Sequence, residues 1–251
     1  MISKNQIKFI RSLQTSKFRQ IHDQYLVEGE KMLNELLNSE QNILHIYGLL
    51  DWVQQHETII KKKQVEYTVV SESELAQIST LTTPNKVLAV VKGVKNTFDN
   101  TSTLEEGIYV VLENIQDPGN LGTIIRSAEW FGVKAIFCTA NTVEVYNPKV
   151  VQASMGSVFR MKVYYTDIAE VLQHNAHMVS YAAVLGGENV YSTKFSNSIF
   201  LLVGNESKGL SAEMISITNH KITIPSYGKA ESLNAAVACS VLLGIIRNSV
   251  A

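Results

Sequence analysis

Short apolar runs rich in valine and isoleucine alternate along this chain with segments whose apolar positions recur at helical spacing. In the first part the runs predict strands over Ile43–Leu49, Glu66–Val70 and Val87–Val91, with helices over Gly29–Asn38, Leu50–His56 and Glu72–Ile78. The second part repeats the alternation. Strands are predicted over Ile108–Glu113, Ala135–Thr139, Met178–Ala183, Ile199–Gly204 and Lys221–Ile224. Helices are predicted over Leu121–Phe131, Pro148–Met155, Ile168–His174, Ala212–Ile217 and Leu233–Asn248. Near-continuously apolar strands separated by helices predict an α/β fold with a parallel sheet covered on both faces. No periodic pattern crosses the polar, turn-rich segment Lys95–Glu106, so a boundary is expected there, with domains at 1–98 and 107–251.

Composition excludes several classes. The 251 residues are 45% hydrophobic and 18% charged, a globular rather than a disordered balance. Only two cysteines are present, Cys138 and Cys239, each inside an apolar stretch. They cannot form a disulfide framework or a metal cluster, and they predict buried thiols of a cytoplasmic protein. The six histidines show no ligand spacing, so no metal is expected. The charged start MISKNQIKFIRSLQ carries no signal-peptide core, and the longest apolar runs are of strand length, so no membrane span is expected.

Net charge is −1, which excludes a globally basic nucleic-acid binder but not a local patch. Residues 1–98 hold 12 basic and 10 acidic side chains; the remainder hold 10 and 13. Lys4, Lys8, Arg11, Lys17 and Arg19 occur before the first acidic residue. The first three, at i, i+4 and i+7, fall on one helix face. Such a stripe suits a phosphate backbone, and it equally suits a solvated helix face.

Three segments put glycine and polar residues where a strand ends, the place where parallel α/β folds bind ligands. Asn114–Gly132 contains the turn Asp117-Pro118-Gly119-Asn120, after which Asn120 or Gly119 can open a helix. Arg126 follows six residues later in an apolar stretch, either snorkelling to water or functional. Val203–Ser211 reads G-x-x-x-x-G-L-S. The lysine a phosphate-binding loop needs is replaced by Leu210, and Glu206 would repel phosphate, which excludes an NTPase. Ile222–Ala236 leaves a strand and opens the last helix, with Glu231 or Ser232 as cap and Asn234 in the first turn. No G-x-G-x-x-G, no G-x-S-x-G and no H-E-x-x-H motif is present, and the scattered aromatic residues show no stacking platform.

Together the three segments resemble the signature motifs of the SpoU/TrmH family of RNA ribose 2′-O-methyltransferases, within the SPOUT superfamily. The match runs from Ile108 to Asn248, and Ala153–Arg160 is similar to the family's Ser/Gly-rich stretch. Gly119 departs from the family pattern, which carries His or Thr there. More loosely, Ser12–Leu37 and Thr82–Val91 resemble the small α/β/α RNA-binding domain that precedes the catalytic domain in many members. The resemblance implies a SPOUT α/β domain with a trefoil knot, a homodimer, and methyl transfer from S-adenosylmethionine to a ribose hydroxyl of RNA, ribosomal RNA ahead of transfer RNA. A catalytically silent RNA-binding or ribosome-assembly factor is the alternative in a different class. By carry-over, Asn120, Arg126, Glu206, Ser232 and Asn234 would be catalytic, with Asn120 and Ser232 holding Arg126 or the substrate. Gly204, Ile224 and Leu233 would hold the cofactor, and the N-terminal basic residues the RNA.

Overall fold

The computed structural model describes residues 2–94 and 96–250; Lys95, the first residue of the expected boundary segment, lies outside them. The chain forms two compact units, Met1–Lys95 with Glu144–Arg160, and Asn96–Val143 with Met161–Ala251.

The first unit runs α1 (Lys4–Ser12), α2 (Ser16–His22), β1 (Gln24–Glu28), α3 (Glu30–Leu37), β2 (Ile43–Gly48), α4 (Leu50–Lys62), β3 (Tyr67–Val69), α5 (Glu72–Ile78) and β4 (Val87–Lys92). Ser3 and Gln6 close a capping box on α1, so the basic stripe begins on a firmly started helix. The strands order as β1-β4-β2-β3. Only β2 and β3 pair in parallel; β4 runs antiparallel to both β1 and β2. The expectation of a parallel sheet therefore fails in this unit, because apolar content reports burial on both faces and not strand direction. Alternation along β4 serves two cores. Val87, Ala89 and Val91 pack with Trp52 and Leu33, and Leu88 and Val90 with Ile10, Leu13 and Leu75.

Glu144–Arg160 contributes α7 (Pro148–Ser154) and the 3-10 turn Ser157–Phe159. Its Val151, Val158 and Phe159 complete the Trp52 core, and Arg160 pairs with Glu35 at 2.8 Å. The Ser/Gly-rich stretch thus belongs to the first unit, although in sequence it sits between two strands of the second.

The second unit runs β5 (Ile108–Leu112), α6 (Pro118–Trp130), β6 (Ala135–Cys138), β7 (Val163–Tyr165), α8 (Ile168–His174), β8 (Val179–Asn189), β9 (Ile199–Val203), α9 (Ala212–Ser216), β10 (His220–Thr223) and α10 (Ala235–Ser249). All neighbours in the order β10-β8-β9-β5-β6-β7 are parallel. Here the apolar runs did mean a parallel sheet: β5 and β9 are buried at every position. From β5 the chain proceeds outward to β6, whereas β9 leads to β10 at the opposite edge. The crevice between the carboxyl ends of β5 and β9 is therefore a topological switch point.

Residues 96–104 of the boundary segment are tied to this unit. Asn96 donates to the Val163 carbonyl at 3.3 Å and Asn100 to Glu170 at 2.7 Å, and Phe98 and Leu104 pack beside Phe137.

Candidate active site

Asp117, not Asn120 or Gly119, caps α6. Its carboxylate accepts from the Asn120 amide at 2.8 Å, and Pro118 occupies the first helical position, where no backbone donor is needed. Asn120 thereby falls on the third position of the helix, 9% exposed. At the other end of the site Asn234, not Glu231 or Ser232, caps α10: its Oδ1 accepts from Ala236 N at 2.9 Å and Val237 N at 3.2 Å.

These caps decide the polarity of everything between them. With Asn234 Oδ1 committed to the helix, its amide nitrogen faces outward and donates to Asn120 Oδ1 at 2.9 Å. Asn120 Nδ2 must then point the other way, and it donates to Glu206 Oε1 at 2.9 Å. The Asp117 amide reaches the same oxygen at 3.3 Å, and the Gln116 amide reaches Oε2 at 3.5 Å. The Glu206 carboxylate thus sits against the donor-rich start of α6, the end of a helix that favours negative charge. One amide chain joins the loops after β5 and β9 to the start of α10.

Two residues of the expected catalytic set stand apart from this chain. Arg126 is exposed on α6 on one face with Thr123 and Trp130, and among the described residues its side chain has no hydrogen bond or ion pair. Ser232 is exposed and equally unpartnered among them. Neither Asn120 nor Ser232 holds Arg126 in this structure.

Sequence reasoning missed Asn205. Its Nδ2 donates to the Asn114 carbonyl at 2.8 Å, and its Oδ1 receives Ser207 N at 3.0 Å and Lys208 N at 3.1 Å. It stitches the loop after β9 to the one after β5. It also missed Glu113, a buried carboxylate that receives Ser211 N at 2.7 Å. The Asp-Pro pair was the available signal for the α6 cap; a loop asparagine carries none until its neighbours are known.

Of the expected cofactor residues, Gly204 follows β9, Ile224 follows β10, and half-exposed Leu233 precedes the α10 cap. A Cβ on Gly204 would lie 2.2 Å from Gly209 C and Leu210 N, so the loop folds back on bare backbone. Among the described residues, 225–233 make no backbone–backbone hydrogen bond. Apart from the Gly228 carbonyl, which accepts from Ser226 Oγ at 3.4 Å, their backbone groups are left for a ligand, which suits a cofactor gripped by main chain.

In the first unit, Lys4, Lys8 and Arg11 share an exposed face and, with Ile7 and Gln77, line a shallow cavity of about 410 Å³. None of the three is ion-paired among the described residues, and Lys17 is exposed nearby on α2. Arg19, expected to face RNA, does not. It is 4% exposed, pairs with Glu144 at 2.7 Å and donates to the carbonyls of Leu13 and Gln14 at 2.9 Å. Its guanidinium is consumed by the fold and offers RNA nothing. On the same helix, partly exposed Phe18 stacks on His22 at 6.2 Å, an aromatic pair that the scattered aromatic count concealed.

The model of the SpoU rRNA methylase family matches residues 107–244, more than half of the chain. The chain belongs to the SpoU rRNA methylase family. It is accordingly a methyltransferase, with Asn120, Glu206 and Asn234 inside the matched region. The model of an MRM3-like substrate-binding domain matches residues 4–89. The chain is 29% identical to the 23S rRNA (guanosine(2553)-2′-O)-methyltransferase of Bacillus subtilis, over 98% of this chain and 97% of that one. It is also similar to the AdoMet-bound rRNA methyltransferase of Sinorhizobium meliloti, with a TM-score of 0.88, 26% identity, and coverage of 100% and 98%. A TrmH-family structure from Porphyromonas gingivalis gives a TM-score of 0.84 at 32% identity, covering 99% of each chain.

Proposed function

We propose that this SpoU-family chain transfers a methyl group from S-adenosylmethionine to a ribose 2′-hydroxyl of structured ribosomal RNA. The observation that carries the reading is the Asn234–Asn120–Glu206 chain, which ties all three motif loops together at the carboxyl ends of the parallel strands. The names of the similar proteins favour ribosomal over transfer RNA as substrate class. The trefoil knot, the homodimer and a cytoplasmic location belong to the same proposal. The exposed Trp130 of α6 and Val237 of α10, two helices that pack together, support the dimer. The two buried free thiols support a reducing compartment.

S-adenosylmethionine supplies a methyl group on a positively charged sulfur, held in this reading by the backbone around Gly204, Ile224 and Leu233. The residues of the chain must bring a ribose hydroxyl in line with that methyl group and accommodate the charges. Glu206, fixed by Asn120 and by the amides before α6, would offer its carboxylate to the cationic sulfur of a cofactor held there. The Arg126 guanidinium fork, without a partner among the described residues, is suited to gripping the phosphate beside the target ribose and so orienting its hydroxyl. Asn234 and Asn120 are positioning residues that hold Glu206. Ser232, exposed beside Leu233, is available to the substrate. Lys4, Lys8, Arg11 and Lys17 would follow the RNA backbone.

Calorimetry with S-adenosylhomocysteine and a transfer assay on ribosomal RNA test the proposal. Saturable cofactor binding is expected, with Arg126→Ala abolishing transfer and leaving that binding intact. No binding at millimolar ligand overturns the methyltransferase reading. RNA binding and cofactor binding without any transfer would favour the silent assembly factor.

A further inference from the structure

A cavity of about 610 Å³ opens between the loops after β5, β6 and β9, lined by the polar residues Glu113, Asn114, Gln116, Asn141, Asn205 and Lys208 among others. Its size falls within the ~300–1,000 Å³ of ordinary ligand sites. It occupies the switch-point crevice between β5 and β9, where open α/β sheets take their ligands. Gly204, Ile224 and Leu233 do not line it. The cofactor proposed above is assigned to the β9 and β10 side of the sheet, which leaves this cavity for another molecule.

Its lining is a recognition surface whose parts are already fixed. Asn114 is held in a left-handed conformation with φ 56°, and its Oδ1 receives Thr139 Oγ1 at 3.2 Å. That leaves Asn114 Nδ2 as a donor unengaged among the described residues. The carboxamides of Gln116 and Asn141 and the Lys208 ammonium also lack partners among the described residues. Against these donors stands Glu113, 7% exposed, with one oxygen bonded to Ser211 N at 2.7 Å and the other unengaged among the described residues. A buried carboxylate accepts and cannot donate when ionised, and it gains most from two adjacent N–H groups. Among the RNA bases, only guanine presents two neighbouring donors, N1–H and N2–H, on one edge, with an acceptor O6 beside them. The cavity also adjoins the reacting groups, because Asn205 and Ser207 flank Glu206 and the Gln116 amide donates to it.

We propose that this cavity receives a guanine of the RNA substrate, read by Glu113 through N1–H and N2–H and by the surrounding amides through O6. The inference rests on the methyltransferase reading for its RNA ligand. It adds a base-specificity site to a chain whose chemistry acts on a ribose common to all four nucleotides.

The test uses the full chain with S-adenosylhomocysteine and each of the four nucleoside 5′-monophosphates, followed by saturation-transfer NMR and competition titration. GMP should bind about 5- to 100-fold more tightly than AMP, CMP or UMP, the discrimination of one good bidentate contact. Glu113→Gln keeps an acceptor for Ser211 N but turns an amide donor toward the donor edge of guanine, so the preference should vanish. Asn141→Ala, at an exposed position that holds nothing else among the described residues, should weaken GMP severalfold with S-adenosylhomocysteine affinity unchanged. Equal binding of the four nucleotides, no nucleotide binding beside intact cofactor binding, or an undiminished GMP preference in Glu113→Gln would each overturn the proposal. A GMP preference without any cofactor binding would uphold the cavity and overturn the methyltransferase reading instead.

Discussion

The amide chain at the centre of the site makes a prediction that depends on its polarity. Asn120→Asp is nearly isosteric. It keeps an acceptor for Asn234 but deletes the donor that reaches Glu206 at 2.9 Å. A hydrogen bond to a charged group is worth about 1.5–3 kcal/mol. The substitution also sets two carboxylates side by side, where a pair ~4 Å apart costs about 1 kcal/mol in a water-like dielectric. Because Glu206 is exposed, the lower part of these ranges applies, giving a loss of about 2–3 kcal/mol. For a chain of this length that corresponds to a melting temperature lower by about 4–12 °C. Methyl transfer should fall about 30- to 150-fold if the whole loss is felt in the transition state.

The decisive variant is the double substitution Asn120→Asp, Glu206→Gln. The carboxamide introduced at position 206 would donate back to the carboxylate introduced at position 120, so both hydrogen bonds are restored with the charge moved along the chain. Thermal stability and S-adenosylhomocysteine affinity should return most of the way to the parent values. Transfer should not, because the negative charge would now sit on α6 and not beside the cationic sulfur. Differential scanning fluorimetry and single-turnover transfer on ribosomal RNA measure the two quantities. A single Asn120→Asp variant melting within about 1 °C of the parent and transferring at an unchanged rate would refute the chain as drawn. Full recovery of transfer in the double variant would show that Glu206 acts through its hydrogen bond and not its charge.

Arg19→Ala leaves Glu144 partly buried and unpaired and should destabilise the first unit by about 3–5 kcal/mol, measured by urea unfolding. Lys8→Ala and Arg11→Ala should instead leave stability within about 0.5 kcal/mol and lower the salt slope of RNA binding by up to about one unit each. Gly204→Ala drives a Cβ into Gly209 and Leu210 and should abolish cofactor binding in calorimetry, with a stability cost of at least about 1–3 kcal/mol. Burial pushes the Cys239 thiol up to about 12 and raises Cys138 further. Neither should react with a thiol reagent at pH 8 until the protein unfolds.

The legible parts of the fold are those where one strand or helix satisfies its own pattern. β5 and β9 are buried throughout, as near-continuous apolar runs predict, and α8 spans the residues that its periodicity marks. What escaped depends on partners distant in sequence. β1 escaped because Gln24–Glu28 has only three apolar residues between polar ends, and its place beside β4 comes from pairing 64 residues away, as between Leu26 and Val90. β7 is three residues long, too short for any period. Arg19 read as one more charge in a basic run, because nothing local reveals that Glu144, 125 residues on, closes over it. At the site, the motif loops were legible, and so were Asn120, Glu206 and Asn234 as a set. Their order along one hydrogen-bonded chain was not.

That order has a consequence for how the cofactor loop is held. Among the described residues, 225–233 lack backbone hydrogen bonds of their own, so the loop is positioned chiefly by its two ends. One end leaves β10; the other is Asn234, which commits its oxygen to α10 and its nitrogen to Asn120. The glutamate at 206 therefore reaches the loop through two amides, and a change that frees Asn120 also frees the loop's second anchor. Asn234→Ala loses both the cap, worth about 1 kcal/mol, and the tether to Asn120. It should raise the dissociation constant for S-adenosylhomocysteine, whereas Asn120→Ala, which leaves the α10 cap intact, should raise it less. Equal effects would mean that the cap contributes nothing to holding the loop, and that Asn120 alone couples the loop to Glu206.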